Sequence, residues 1–203
     1  MRDRIIRSLA ATALPDNPVA IAEQGLSDRV LKAWFRLPLQ PAAVLVPIVE
    51  RDTGPTVLFT VRDQELPDHP GQIAFPGGRP DPRDTDLHAT ALREAREEVG
   101  LPVDQVDVVG NLPVQAVITG YAVVPLVGFV RGDFQPVAQP GEVAEIFEVP
   151  LEFLLDRRHG RRRDRTRAGV RLTTWEYRWR DYEIWGATAQ MLHGLLNTIE
   201  KNQ

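Results

Sequence analysis

The first forty residues show the apolar spacing of short amphipathic helices. Ile5 and Leu9 stand four positions apart, so their side chains fall on one face of a predicted helix over residues 1–14. A second short helix is predicted over residues 27–36. Because no change in composition marks a linker after these helices, we interpret residues 1–40 as a helical extension packed on the main domain.

Residues 41–203 are predicted to form one domain in which strands and helices interleave. The segments with the apolar runs and turn signals of strands are 42–49, 56–62, 106–112, 121–130, 171–178 and 181–185. The segments with helical spacing are 87–99, 151–155 and 187–200. A loop rich in proline and glycine, 67–82, precedes the predicted helix over 87–99. Since no regular βαβ repeat is present, the fold class is α/β or α+β with a mixed sheet.

Composition excludes several classes of protein. The chain is 43% apolar and 26% charged, which argues against disorder. It contains no cysteine, so disulfide scaffolds, thiolate metal sites and cysteine nucleophiles are excluded. The net charge of -4 gives no general attraction to nucleic acid or to an anionic membrane. No stretch approaches the roughly 20 apolar residues of a membrane span. We therefore expect a cytoplasmic protein without a nucleic-acid or membrane partner.

Three glutamates are predicted to share one face of the helix over 87–99. Glu94, Glu97 and Glu98 fall within an arc of about 100° at helical spacing. Carboxylates held this close repel one another unless a cation lies among them, and Mg²⁺ prefers such oxygen ligands. The alternative is a solvated acidic surface. The preceding Phe-Pro-Gly-Gly segment allows a close approach to a ligand, and Arg93 can bind a carboxylate with two hydrogen bonds, so we favour the metal site.

The segment from Gly77 to Leu101 resembles the Nudix box, whose pattern is G-x5-E-x7-R-E-U-x-E-E-x-G-U. From Arg93 onward the chain matches every fixed position of that pattern. In the first half, the glutamate of the pattern falls on Thr85. If the turn contains one extra residue, the glycine of the pattern falls on Gly78, and Asp84 or Asp86 lies near the position of the missing glutamate.

A second resemblance covers the residues before the box. Leu58–Arg62 and His69–Gly78 are similar to the signature of coenzyme A pyrophosphatases, approximately L-L-T-x-R-[SA]-x3-R-x3-G-x3-F-P-G-G. The departures from that signature are Phe59 for Leu, Asp63 for Ser or Ala, and Pro67 for Arg. Later segments that also look similar are Thr119–Tyr121, Glu142–Glu145 and Ile184–Ala189. The likeness implies an α/β/α sandwich with a mixed sheet.

The resemblance also implies roles for individual residues and a need for Mg²⁺ or Mn²⁺. Glu94 and Glu98 are the implied principal metal ligands, with Glu97 completing the cluster or acting as the base. Gly78 would lend its carbonyl group, and Arg93 would orient the glutamates. A candidate fourth acid lies outside the box, and its alternative interpretation is a surface-loop glutamate; that residue is Glu142.

Candidate substrate contacts surround the glycine-rich loop. They are Arg62, His69, Gln72 and Arg79. For His69 and Gln72 the alternative is a structural hydrogen bond within a turn. Farther along, the tract Arg157–Arg171 contains eight arginines. We interpret this tract as a solvated mobile loop, and the alternative is a surface that attracts the phosphates of the substrate or nucleic acid.

The predicted function is hydrolysis of the pyrophosphate bond of coenzyme A (CoA) or acyl-CoA to 3′,5′-ADP and 4′-phosphopantetheine or its acyl form. One alternative is a Nudix hydrolase that acts on ADP-ribose or a dinucleotide. The other is a catalytically silent Nudix module that binds nucleotides, against which the presence of all three helix glutamates speaks. A small nucleotide is the predicted partner, and a homodimer stays open.

Overall fold

Helices and strands follow one another in mixed order in the computed structural model, which describes residues 1–10 and 12–200. The helices are α1 (Arg2–Leu9), α2 (Pro18–Gln24), α3 (Asp28–Trp34), α4 (Leu87–Val99), α5 (Leu151–Leu155) and α6 (Gly186–Glu200). The first strands are β1 (Gln40–Arg51), β2 (Gly54–Arg62), β3 (Ile73–Ala74), β4 (Gly77–Gly78), β5 (Val106–Asn111) and β6 (Gln115–Val117). The later strands are β7 (Tyr121–Val130), β8 (Val143–Pro150), β9 (Gly160–Arg167), β10 (Val170–Trp179) and β11 (Tyr182–Trp185). No described helix is both long and apolar enough to cross a membrane.

Eight of these strands form one mixed sheet. Its main path runs β3-β2-β1-β7-β5, while β4 pairs with β1, β6 with β7 and β8 with β2. Strands β1 and β7 run parallel, and the other pairs of this sheet are antiparallel. The last three strands form a separate antiparallel sheet in the order β11-β10-β9.

Alternate side chains of β1 face opposite helical layers. Val46 and Ile48 belong to the apolar core that also contains residues of α1 and α6. Leu45 and Val49 belong to a second core that contains the apolar stripe of α4. All four side chains are fully buried, as the two-residue period of a strand between two layers requires. The predicted α/β/α sandwich with a mixed sheet is confirmed.

Helix α4 begins and ends at the predicted residues because both of its ends are capped. The Asp86 Oδ1 atom accepts a hydrogen bond of 2.8 Å from the backbone N–H of Ala89. Gly100 ends the helix in the left-handed conformation, with φ of 69°. Between these caps, Ala91 and Ala95 are fully buried against the sheet. This packing fixes the rotation of α4 about its axis and therefore the direction of its glutamates.

The helical extension contains three short helices instead of the two that were predicted. Helix α1 ends at Leu9 instead of residue 14, and residue 11 lies outside the described residues. Helix α3 corresponds to the predicted helix over 27–36. Helix α2 was not predicted, although the Asn17 side chain caps it and Pro18 occupies its first turn. The domain boundary at residue 40 stays a prediction.

The prediction of a loop for the arginine tract is wrong, although most of the tract is exposed to solvent as predicted. Residues Gly160–Arg167 form β9, which pairs with β10 in an antiparallel hairpin. The two-residue turn Ala168-Gly169 has positive φ at both positions, the geometry of a tight hairpin. Nearly every residue of β9 is exposed, so the strand lacks the alternation of apolar and polar residues that would identify it. We refer to β9, β10 and their turn as the arginine hairpin.

Candidate active site

Two consecutive glycines bring β4 against both β1 and α4. Gly77 pairs with Val44, and Gly78 pairs with Ala43. A Cβ atom on Gly77 would collide with the carbonyl oxygen of Ala43. A Cβ atom on Gly78 would lie 2.5 Å from the Oε1 atom of Glu94. The absence of side chains here is therefore what allows the helix glutamates to approach the strand.

Arg93 holds three carboxylates around its guanidinium group. Its Nε and Nη2 atoms donate to the two oxygens of Asp84 at 3.0 and 2.9 Å. Its Nη1 atom donates to Glu94 at 2.8 Å and to Glu97 at 3.0 Å. These hydrogen bonds hold the pKa of Asp84 well below its usual range. Of the two acids named for the first half of the box, Asp84 is thus the one that binds Arg93, while Asp86 caps the helix.

Glu98 is a buried carboxyl group. Only 7% of the residue is exposed, and its Oε2 atom accepts a hydrogen bond of 3.3 Å from the backbone N–H of Gly77. Burial, followed by the neighbouring charge of Glu94, raises the pKa of Glu98 to about 8. Burial also raises the pKa of Glu94, against the opposing effect of Arg93. A carboxyl pair of this kind is stabilised in its ionised form by a nearby cation.

The other two candidate acids lie in different surroundings. Glu97 has 46% of its side chain exposed, pairs with Arg93 and does not border the cavity described below. Glu142 lies in the loop before β8 and does border that cavity. Its charge raises the pKa values of both Glu94 and Glu98, which places it near them in space. Glu142 therefore borders the cavity together with the buried pair, whereas Glu97 lies near Glu94, beside Arg93, without bordering the cavity.

His69 and Gln72 are hydrogen-bonded to each other. The Nδ1 atom of His69 lies 2.6 Å from the Oε1 atom of Gln72, and its Nε2 atom lies 3.0 Å from the Oγ1 atom of Thr119. Both ring nitrogens are thus occupied, as the structural interpretation of this histidine predicts. The same three residues border the cavity, so they also form part of its polar wall.

One cavity of about 880 Å³ joins the predicted residues. The predicted site residues that border it are Arg62, His69, Gln72, Gly78, Arg79, Glu94, Glu98 and Glu142. Arg62 is close enough to Glu98 for its charge to favour the ionised carboxylate. Arg93 and Glu97 do not border the cavity, and Arg93 acts on it through Glu94.

The sequence profile of the NUDIX domain matches residues 39–168, which is more than half of the chain. The chain belongs to the Nudix hydrolase family. Nudix hydrolases act on small nucleotides, so hydrolysis of a nucleoside diphosphate derivative is the supported activity.

Curated relatives extend this likeness over most of the chain. An uncharacterized Nudix hydrolase, NudL, from Photorhabdus laumondii is 40% identical over 184 residues, which are 86% of this chain and 98% of the relative. NudL from Cronobacter sakazakii is 43% identical over 154 residues, which are 76% of this chain and 80% of the relative. The crystal structure of RenU, a Nudix hydrolase from M. smegmatis, is similar over 58% of this chain and 74% of the RenU chain, with 24% sequence identity and a TM-score of 0.49.

Nudix hydrolases generally use divalent ions such as Mg²⁺ or Mn²⁺, and the chemistry of this site suits a hard cation. Glu98, Glu94 and Gly78 all border the cavity, and their carboxylate and carbonyl oxygens are possible ligands. Within the described residues, however, no three acidic or histidine side chains are close enough to form a metal-binding group. Glu97 is held by Arg93, outside the cavity. The assignment of metal ligands therefore stays a prediction.

Several residues that border the cavity were not predicted as site residues. The extension borders the cavity with Trp34 and Phe35, and the arginine hairpin borders it with Arg165. Trp185 borders it at the end of β11, within a Trp-Gly-Ala-Thr-Ala segment that had been noted only for its resemblance. That segment was the available signal for Trp185. Nothing in the local sequence distinguishes Arg165 from its neighbouring arginines.

Proposed function

We propose that this protein hydrolyses the pyrophosphate bond of CoA or acyl-CoA, with Mg²⁺ or Mn²⁺, to 3′,5′-ADP and 4′-phosphopantetheine or its acyl form. The observation that supports this proposal is that one cavity is bordered by two sets of residues. One set is the box carboxylates Glu94 and Glu98, and the other belongs to the segment that resembles CoA pyrophosphatases, with Arg62, His69 and Gln72.

The catalytic requirement is to neutralise the charge of a pyrophosphate and to orient a water molecule in line with the scissile bond. We infer that Glu94, Glu98 and the Gly78 carbonyl would hold the divalent ion. A divalent ion supplies charge neutralisation and lowers the pKa of a bound water. Arg93 fixes the Glu94 carboxylate through its hydrogen bond of 2.8 Å, so it is a positioning residue.

The base is assigned from the position of the two remaining acids. Glu142 borders the cavity, whereas Glu97 does not. A general base must reach the water from which it takes a proton. We therefore infer that Glu142 accepts that proton, and that Glu97 contributes through its ion pair with Arg93.

The substrate contacts are inferred from the polar wall of the cavity. Arg62 and Arg79 bring positive charge beside the acidic residues, where the pyrophosphate oxygens would lie. His69 and Gln72 can exchange their mutual hydrogen bond for one to a phosphate oxygen or to the amide groups of the pantetheine arm. The cytoplasmic location and the homodimer rest on the sequence alone.

The test is a comparison of substrates under identical metal and salt. CoA, dephospho-CoA, ADP-ribose and NADH are incubated with the protein and Mg²⁺ or Mn²⁺, and products are identified by chromatography. We expect the highest kcat/KM with CoA or a short acyl-CoA, and the products 3′,5′-ADP and phosphopantetheine. A preference of about tenfold for ADP-ribose or NADH, which is about 1.4 kcal/mol, would contradict the CoA assignment and leave the family assignment intact. Binding of these nucleotides without any turnover would instead favour the silent module.

A further inference from the structure

The arginine hairpin contributes a wall of the cavity that is separate from the glutamate helix. Arg165 and Leu172, which pair across the hairpin, both border the cavity. They belong to the three-stranded sheet, whereas β4 and the residues beside the glutamates belong to the large sheet. The cavity is therefore lined with positive charge from two directions, and the mechanism above uses only the arginines near the glutamates.

Arg165 differs from the other arginines of the tract in its partners. Four tract arginines make ion pairs with acidic side chains; they are Arg157 with Glu200, Arg158 with Asp156, Arg163 with Glu176 and Glu183, and Arg171 with Asp164. Within residues 1–10 and 12–200, Arg165 has no such acidic partner. Three more arginines of the tract do not border the cavity, namely Arg161, Arg162 and Arg167. Only Arg165 of the tract combines an uncompensated charge with a place in the cavity wall.

An aromatic ring holds the Arg165 guanidinium in place. Its Cζ atom lies 4.9 Å from the centre of the Trp185 ring. A guanidinium that stacks on a ring still presents its N–H groups at its edge, where they can donate two parallel hydrogen bonds to an anion. The backbone of Trp185 pairs with that of Glu176 across β10 and β11. The Arg165 side chain is exposed, and its contact with the Trp185 ring favours one orientation of the guanidinium group.

The wall that contains Trp185 is tied to the glycine-rich segment. Three residues after Trp185, the Oγ1 atom of Thr188 donates a hydrogen bond of 2.9 Å to the carbonyl oxygen of Ile73 in β3. β3 lies on the large sheet, two residues before the Pro-Gly-Gly turn. This hydrogen bond joins the start of α6, which directly follows Trp185, to the large sheet that forms the other wall of the cavity.

We propose that Arg165 binds a phosphate group of the substrate that is not part of the scissile pyrophosphate. On the proposed function, on which this inference rests, that group is the 3′-phosphate of CoA. A phosphate monoester has a charge of roughly −1.5 to −2 near pH 7 and accepts two parallel hydrogen bonds from a guanidinium. Arg62 and Arg79 bind the pyrophosphate beside the glutamates, whereas Arg165 binds the separate phosphate group from the three-stranded sheet.

Kinetics with paired substrates test the proposal. The ratio of kcat/KM for CoA to kcat/KM for dephospho-CoA is measured for the wild type, Arg165→Gln and Arg167→Gln. Arg167 is the matched control, because it is an exposed arginine on the same strand that does not border the cavity. We expect Arg165→Gln to lower the ratio by about tenfold, mainly through KM, as loss of a charge-assisted hydrogen bond predicts. Arg167→Gln should keep the wild-type ratio. An unchanged ratio in Arg165→Gln, or equal losses in both variants, would overturn the proposal.

Binding without turnover separates this inference from the proposed function. Adenosine 3′,5′-bisphosphate and AMP are titrated calorimetrically into the same three proteins in the presence of Mg²⁺. We expect the wild type to bind the bisphosphate about tenfold more tightly than AMP, and Arg165→Gln to abolish that preference. If CoA is not hydrolysed but this pattern is observed, the proposed function fails and the phosphate site stands. Equal affinity of the wild type for the two ligands would overturn the phosphate site, whatever the substrate proves to be.

Discussion

Helix α4 and the arginine hairpin are both segments dense in charge, yet charge has a different structural role in each. In α4, the charged residues alternate with an apolar stripe that packs on the sheet, and one glutamate of that helix, Glu98, is buried. In β9, nearly every side chain is exposed. A run of charged residues therefore predicts a helix or a strand only when apolar residues recur within it at the period of that element.

The electrostatic surroundings of the two regions differ in the same way. The Arg93 side chain is 17% exposed and holds three carboxylates. The Arg157 and Arg158 side chains of the tract are more than 80% exposed although each pairs with an acid. Ion pairs in solvent contribute about 0–1 kcal/mol, whereas partly buried charge networks contribute more. Substitutions should therefore have larger effects in α4 than in the hairpin.

The largest expected effect is that of Glu98→Gln on catalysis. The substitution removes a buried negative charge from the proposed metal ligands, so we expect kcat/KM to fall by roughly 10²- to 10³-fold, the loss seen when one preorganised active-site group is removed. The fold should persist, because glutamine keeps the shape of the side chain. Metal-dependent hydrolysis and circular dichroism are measured together. The control is Glu152→Gln, an exposed glutamate of α5 that does not border the cavity. Wild-type turnover in Glu98→Gln would contradict the metal assignment.

The contrast between the two regions also shows how much the sequence can predict. The bounds of α4 follow from local signals, namely an N-terminal cap, an apolar stripe and a final glycine. Four strands of the mixed sheet, β1, β2, β5 and β7, follow from strand-length apolar runs, which the structure confirms within one or two residues at their ends. The bounds of the other four strands, β3, β4, β6 and β8, were not predicted. Strand β9 of the hairpin and the pairing of Arg93 with Asp84 depend on contacts between segments, so no local pattern reveals them. For the missing acid of the box, the sequence offers both Asp84 and Asp86 and does not distinguish between them.

The second effect concerns the pH dependence of stability in metal-free protein. The pKa of Glu98 is about 8 in the folded protein, against an ordinary value of 4.5. Between these values the folded state keeps a proton that the unfolded chain has lost, so stability should fall as the pH rises from about 5 to about 8. The expected decrease is on the order of a few kcal/mol.

Urea denaturation in EDTA at several pH values measures this dependence. Glu98→Gln should lack the Glu98 contribution, so its stability relative to the wild type should increase toward about pH 8. Added Mg²⁺ should stabilise the wild type more at high pH than at low pH, because the ion replaces the proton. A constant difference between the two proteins across this range would be inconsistent with a protonated, buried Glu98.

A third, smaller effect should follow from Asp84→Asn. The Asp84 side chain is 6% exposed, and two atoms of Arg93 donate to it. Removal of its charge leaves Arg93 with Glu94 and Glu97 as its acidic partners, beside the carbonyl oxygen of Arg79, so we expect a loss of about 1–3 kcal/mol in unfolding free energy. We also expect a decrease in kcat, because Arg93 no longer fixes Glu94. Urea denaturation and kinetics measure the two effects. The control is Asp81→Asn, whose partner Arg83 is 83% exposed, and its loss in unfolding free energy should be smaller than that of Asp84→Asn.

The smallest effect is expected for Arg163→Gln in the arginine hairpin. Arg163 pairs with Glu176 and Glu183. Burial opposes ionisation of Glu176, but hydrogen bonds from Arg163 and Arg178 outweigh it and lower the pKa of that carboxyl. Because Arg178 also pairs with Glu176, at 3.3 Å, that carboxylate keeps a cationic partner in the variant, and we expect a smaller loss in unfolding free energy than for Asp84→Asn.

The matched control for Arg163→Gln is Arg161→Gln, which removes the same charge from the same strand where no ion pair is present among the described residues. Urea denaturation should show no more than about 0.5 kcal/mol of change for this control. Neither variant should alter kcat/KM for CoA, because neither arginine borders the cavity. A decrease in kcat/KM in both variants would mean that the whole exposed face of the hairpin attracts the substrate. In that case the hairpin, like α4, would act through several charges together instead of through Arg165 alone.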